Sequence, residues 1–305
     1  MSARQRFLVL AVTAITLIAL SGCGTREQSA INILSAEAVT VATNESPKVS
    51  RVIALANGSA EIISALGLKR LLVGRDIAST DADLSSVPIV TSGHQVIPEK
   101  IIALNPDLVI IDKSTGPQNA LDALRSAGIK VVTTPEAWTL ADIPAKVTAI
   151  ADAIGTPNGG AQLNQLMSLK SPTQSPPYGT RIVFLYLRGG SAIYLIGGKG
   201  SGADSLISSI GAVDVGAAQL KNPFNSLTSE EMISLNPDVI LVMTKGLAST
   251  GGVAGLIALP GVAQTQAGKK KRVIAVDDSL LLSFGPRTPN LLTKLQAAVV
   301  KVTKS

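Results

Sequence analysis

The sequence predicts an α/β protein of two lobes, each built on a parallel-rich sheet, with a helical segment between them. Three observations carry that prediction. Short β-branched runs alternate with amphipathic stretches, one motif recurs in each half of the chain, and a helix-rich segment without strand patterning separates the halves. Strands that read as near-continuous apolar runs are covered on both faces, as in a parallel sheet flanked by helices. A chain of 305 residues also exceeds what one average hydrophobic core holds, which favours two lobes.

Residues 1–22 carry Arg4 and Arg6 and no acid, then an apolar run from Phe7 to Leu20 that leads into Ser21-Gly22-Cys23. The run is short for a spanning helix and small residues precede a cleavage point, so residues 1–22 read as a signal peptide. The LSGC tetrad resembles a bacterial lipobox, where a diacylglycerol is attached to the cysteine sulfur before cleavage. Cys23 is the single cysteine, as fits an exported domain that stands without disulfides; a buried free thiol is the competing role. One pair of acyl chains makes an anchor that detergent can extract. Residues 23–48, rich in Ser, Ala, Thr and Asn without periodicity, read as a flexible tether on the extracytoplasmic face of the membrane.

The first lobe is expected over 49–138, with strands at Arg51–Ala56, Leu71–Gly74, Pro88–Thr91, Leu108–Asp112 and Lys130–Thr133 and a helix such as Ser59–Leu66 between them. The link is expected over 139–171. It is rich in Ala, Leu and Lys at helical spacing, but Gly155-Thr-Pro157-Asn-Gly-Gly160 must break or kink it. The second lobe, 172–305, follows a proline-rich entry with strands at Arg181–Leu187, Ala192–Ile196, Asp238–Met243 and Arg272–Asp277. The repeat pairs PEKIIALNPDLVI from Pro98 with SEEMISLNPDVIL from Ser229, each a short helix, an Asn-Pro-Asp stop and a strand. Such a period, found twice, means duplicated lobes and not a solenoid.

The lipobox, the stretch RVIALANGSAEIISALG from Arg51, the paired E-x6-PD helices and LLLSFGPRTP near the end together resemble bacterial haem-binding lipoproteins of ABC importers. Broader relatives are the siderophore- and cobalamin-binding proteins of the class III periplasmic type, with two Rossmann-like lobes joined by a single long helix. The resemblance covers essentially all of the chain after the tether. GPRTP at Gly285–Pro289, with GVAQTQAGKK upstream, points to the haem branch, whereas the E-x6-PD repeat marks only the wider group. What it implies is a monomeric, non-enzymatic binding protein. It would capture haem between the lobes and hand it to a permease dimer driven by its ATPase.

In open α/β sheets ligands lie beyond the carboxyl ends of the strands. The side chains expected there are basic: Arg75, His94, Lys113, Arg188 and Lys245. Such a rim favours an anionic ligand, although each is also an ordinary loop residue. His94 is the only histidine and its imidazole suits ferric iron, against a solvated loop histidine as the plain alternative. Tyr186 stands two residues before Arg188 on one strand, so both side chains share a face. A guanidinium beside the phenol favours phenolate, an iron ligand; a core tyrosine is the alternative. The family resemblance implies one histidine from the first lobe and one tyrosine from the second, with an arginine bonded to the tyrosine. His94, Tyr186 and Arg188 match that pattern. Arg287 either meets a haem propionate or fixes its proline-flanked loop, and Trp138 either walls the cleft or covers the link. Glu99 and Glu230, in the first turns of the repeated helices, complement the helix dipoles. By resemblance they also engage arginines of the permease.

Other function classes fit less well. The 27 Lys and Arg against 21 Asp and Glu, two of the basic residues lying in the leader, form no basic surface for nucleic acid. The run Lys269-Lys270-Lys271-Arg272 reads as a solvated turn before a strand. No nucleophile elbow, Walker loop, GxGxxG turn or zinc-spaced cluster occurs, and Gly197–Gly202 lacks phosphate-loop spacing. A ferric-siderophore or cobalamin receptor of the same group is the nearest rival, weakened by an aromatic content of 3%.

Overall fold

The structure, a computed structural model, describes residues 30–93, 95–168 and 179–304. Residues 1–29, and with them the signal peptide and Cys23, lie outside the described residues, as does His94. The first described element is a strand, β1 (Ile31–Ile33), which joins the second lobe by pairing parallel with its last strand. The first lobe follows as β2 (Val52–Ala54), β3 (Leu72–Arg75), a small hairpin of β4 (Thr91–Ser92) and β5 (Gln95–Val96), then β6 (Leu108–Ile111) and β7 (Lys130–Thr133). Its sheet is parallel throughout in the order β3-β2-β6-β7.

The second lobe contains β8 (Arg181–Arg188), β9 (Ile193–Gly197), β10 (Val213–Asp214), β11 (Phe224–Ser226), β12 (Val239–Met243) and β13 (Val273–Val276). The order is β1-β13-β12-β8-β9-β11, with β10 beside the start of β8. Strand β9 pairs antiparallel with both β8 and β11, and the other pairings are parallel. The expected α/β class with two parallel-rich lobes is the architecture observed.

Alternation along the strands sorts the cores. Ile182 and Phe184 of β8 face inward while Val183, Leu185 and Leu187 face a separate outer cluster. The inward rows of both sheets belong to one apolar cluster. It runs from Val52, Ala54, Leu108 and Ile110 through Val147, Ile150 and Ile154 of the link to Ile182, Phe184, Leu241 and Ile274. Parting the lobes widely would expose that shared core to water, so the fold resists wide opening.

Two expectations need correction. The link breaks at Gly155 as its sequence requires, but the single long helix that the resemblance implied is a pair: helix Ile143–Ile154 ends at Gly155 in the left-handed region (φ 85), and helix Pro157–Ser168 turns back along it. Asn164 donates to the Pro144 carbonyl at 3.1 Å, and a Cβ on Gly160 would come within 2.6 Å of the Ala151 Cβ, so the pair is antiparallel and close. Glycine gives the turn and Pro157, lacking an N–H, starts the second helix. Nor are residues 30–48 a free tether. After β1 the backbone N–H of Val39 donates to Pro286, Val41 to Ala65 and Lys48 to Ile154, at 2.8–2.9 Å. Ile33, Ala36 and Val39 are buried. The segment is a strap from the second lobe across the first to the link, and its lack of periodicity reflects extended backbone bonded to loops.

The repeat is reproduced at atomic level. Arg51 donates to the Leu104 carbonyl while its backbone N–H donates to Asp107; Arg181 donates to Leu235 and its N–H to Asp238. Asn105 and Asn236 both take positive φ, 45 and 37, just after their helices. An Asn in that region ends a helix, and the arginine from the neighbouring strand then covers its free carbonyls. Backbone N–H groups of Ser50 and then Arg51 hold the Asp107 carboxyl below the usual carboxylate range.

Candidate functional site

Tyr186 and Arg188 continue the inward row of β8 past Phe184 to the carboxyl end of the strand. Tyr186 is half-buried and its ring meets Phe224 of β11 edge-on, centroids 5.6 Å apart at 65°. The Arg188 guanidinium lies over the Tyr186 ring, 4.6 Å from its centroid. It also donates to the Leu187 carbonyl and stands 3.7 Å from the Asp278 carboxylate. The sequence expectation placed the guanidinium beside the phenol. In the structure it stacks on the ring face, and among the described residues no hydrogen bond joins it to the phenol oxygen.

Asp278 was missed from sequence. It follows β13, as the strand-end rule would have indicated, and it organises the second-lobe rim. Its carboxylate accepts from the Lys245 backbone N–H at 3.0 Å and from the Thr244 hydroxyl at 3.3 Å, besides facing Arg188. Lys245 thus stands in the first turn of helix Thr244–Ser249 with an exposed side chain.

On the first lobe, the strands β4 and β5 flank His94 in sequence, and Gly93 has φ 56. The hairpin is tied down where the Val96 N–H donates to Gly116 at 2.9 Å. Lys113 is exposed beside buried Asp112, whose carboxylate takes Ser114, Thr115 and the Asn57 N–H. Trp138 keeps 40% exposure and its indole N–H donates to Glu136 at 3.2 Å.

Two arginines expected to support a ligand serve the fold. Arg75 is buried and donates to the carbonyls of Leu84 and Asp76, which fix a first-lobe loop. Arg287 is also buried, 2.9 Å from the Glu61 carboxylate and 3.3 Å from Asp81, while its backbone N–H donates to Glu61 at 2.9 Å. Both guanidiniums are spent on internal acceptors because a buried cation must be paired. Burial would lower the Arg287 pKa, but Glu61, Asp81 and Asp277 more than offset it.

Beside this pair Lys146 of the link is almost fully buried and donates to the carbonyls of Ser283 at 2.7 Å and Phe284 at 3.3 Å. Asn57 donates to Leu282 in the same loop. First lobe, link and second lobe are therefore stitched together under the cleft. Desolvation lowers the Lys146 pKa to about 8, against the opposing pull of Glu61, Asp112 and Glu136. Between about pH 8 and the ordinary 10.5 the unfolded chain keeps a proton that the folded chain has released. The residue's contribution to stability therefore rises with pH across that window. The stability difference between wild type and Lys146→Met is expected to shift in favour of wild type from pH 8 to 10, read by thermal unfolding. A difference constant with pH would contradict the burial of the ammonium.

The family model described as "Periplasmic binding protein" matches residues 52–280. The chain belongs to the periplasmic binding protein family. Two solved relatives align along most of its length. A heme-binding protein HmuT is 31% identical with a TM-score of 0.77, covering 89% of this chain and 97% of its own. The apo periplasmic heme-binding protein RhuT of Roseiflexus sp. RS-1 is 33% identical, also at 0.77, covering 84% and 99%. Among curated relatives, an uncharacterized ABC transporter substrate-binding lipoprotein, YvrC of Bacillus subtilis (strain 168), is 26% identical over 93% of this chain and 94% of its own length. In this periplasmic binding protein Arg188, Lys245 and Asp278 lie together at the carboxyl ends of the second-lobe strands, and Lys113 follows β6 of the first lobe, the edge at which open α/β sheets bind ligands.

Proposed function

We propose that this protein is the lipid-anchored, cell-surface haem-binding component of an ABC importer. It takes haem between its lobes and delivers it to a permease dimer for iron uptake. The observation that carries this reading is Tyr186: a half-buried phenol at a strand end, walled by Phe224 and faced by Arg188. A phenolate oxygen is a haem-iron ligand in its own right. His94 supplies the second ligand from the first lobe, on the hairpin fastened to Gly116. Three solved variants of the haem-binding relative replace a histidine, a tyrosine and an arginine, the last two standing two positions apart, as Tyr186 and Arg188 do. That spacing supports the assignment.

Lys113 and Lys245, exposed on opposite lobes, supply positive charge for the propionates, and Trp138 offers a ring to the porphyrin edge. Glu99 and Glu230 meet the permease, and Cys23 carries the lipid. The protein works as a monomer and catalyses no reaction. Titration with ferric haem is expected to raise a Soret band and quench Trp138 fluorescence at one equivalent. A vitamin B12-binding protein of Vibrio parahaemolyticus is 23% identical over 67% of this chain, so cobalamin and a ferric siderophore panel belong in the same titration. Quenching by either of those, with no haem response, would overturn the haem reading.

A further inference from the structure

Helices Pro98–Ala103 and Ser229–Leu235 open with Glu99 and Glu230, and each carries an isoleucine three residues later, Ile102 and Ile233. Their neighbours Ile101 and Met232 are fully buried, yet Ile102 and Ile233 are 42% and 48% exposed. Residues three apart share a helix face, so each glutamate stands beside an outward isoleucine. One exposed isoleucine needs no explanation. The same exposure at the same repeat position does, because the outer core of each lobe is packed separately and neither constrains the other.

The two helices are also held alike. Arg51 and Arg181 cover their last carbonyls, Asp107 and Asp238 anchor the following strands, and Asn105 and Asn236 end them in the left-handed region. Each helix therefore runs back from the carboxyl edge of its sheet to the amino edge, which sets both glutamates toward the cleft side of their lobes. Among the described residues neither glutamate takes an ion pair. The chain thus displays two copies of one unit, an unpaired carboxylate next to a branched aliphatic side chain.

Resting on the reading that Glu99 and Glu230 meet the permease, we propose that Ile102 and Ile233 form the apolar half of that docking surface. Each enters a recess beside the cation that takes its glutamate. Two equivalent units on one chain match a partner of two equivalent subunits, and unpaired carboxylates match cations on it. The isoleucine excludes water from the adjoining ion pair, where the attraction is stronger in the drier setting.

The test measures binding of the full-length protein, with and without haem, to its permease–ATPase complex in lipid nanodiscs. Ile102→Ser and Ile233→Ser are each expected to weaken binding by about tenfold and the double variant by about a hundredfold. Leu166→Ser, an equally exposed apolar position on the link at 41%, should bind as wild type. The absorbance spectrum with haem should match wild type in all of them. Wild-type binding by the Ile102/Ile233 double variant, alongside weak binding by Glu99→Ala/Glu230→Ala, overturns the inference and leaves the docking reading standing. Wild-type binding by both double variants overturns both.

Discussion

Replacing Arg287 with alanine is expected to cost about 3–5 kcal/mol of unfolding free energy, the range for removing one partner of a buried ion pair. The side chains of Arg287 and Glu61 are 7% and 5% exposed and lie 2.9 Å apart. Without the guanidinium, the buried Glu61 carboxylate loses its ion-pair partner and keeps only the Arg287 backbone N–H and the more distant pull of Lys146. Asp81 loses its cation as well. The loss would be read as a lower denaturant midpoint. Glu61→Gln with Arg287→Met, which removes both charges and keeps the volume, should recover a large part of it, because the cost lies in the unpaired charge. A loss under about 1 kcal/mol for Arg287→Ala would place the pair in water. Since Glu61 belongs to the first lobe and Arg287 to the second, the same variant should also loosen the hinge, seen as faster amide exchange in helix Ser59–Ala65.

Tyr186→Phe is expected to weaken ferric haem binding by tenfold or more, about 1.4 kcal/mol at least, and to change the ligand-field features of the spectrum. Phenylalanine keeps the edge-on packing with Phe224 and the stacked Arg188. The variant therefore removes the oxygen and little else, and its thermal stability should stay close to wild type. Tyr186→Ala should show the same spectral loss together with some loss of packing. His94→Ala should weaken binding comparably, while Arg188→Ala should have a smaller effect because the guanidinium stacks on the ring and does not bond the phenol oxygen. Wild-type spectra for Tyr186→Phe and His94→Ala would remove both residues from the proposed ligand set.

Much of the site's placement was legible because strand period and strand order are local properties. Two-residue alternation puts Tyr186 and Arg188 on one face, and the rule that ligands sit beyond strand ends puts them at the rim. The same rule reaches Asp278, the residue directly after the expected strand Arg272–Asp277, once acidic side chains are read alongside the basic ones. Arg75 was misread by that rule, and the two roles left open for Arg287 could not be separated, because an exposed arginine and a buried one have the same neighbours in sequence. Only the acceptors around them distinguish the two. Glu61 gave no sign of its role: its partner is 226 positions away.

The sequence by itself determined the α/β class, the duplicated helix–Asn-Pro-Asp–strand unit and the inward face of β8. Each depends on periodicity or on the backbone limits of Pro, Gly and Asn within a few residues. Tertiary structure alone decided that residues 30–48 strap the lobes together, that the link is a helical pair and that Lys146, Glu61 and Arg287 meet under the cleft. Those outcomes rest on which distant backbone carbonyls and carboxylates remain unsatisfied once the sheets are packed, and no local pattern encodes that.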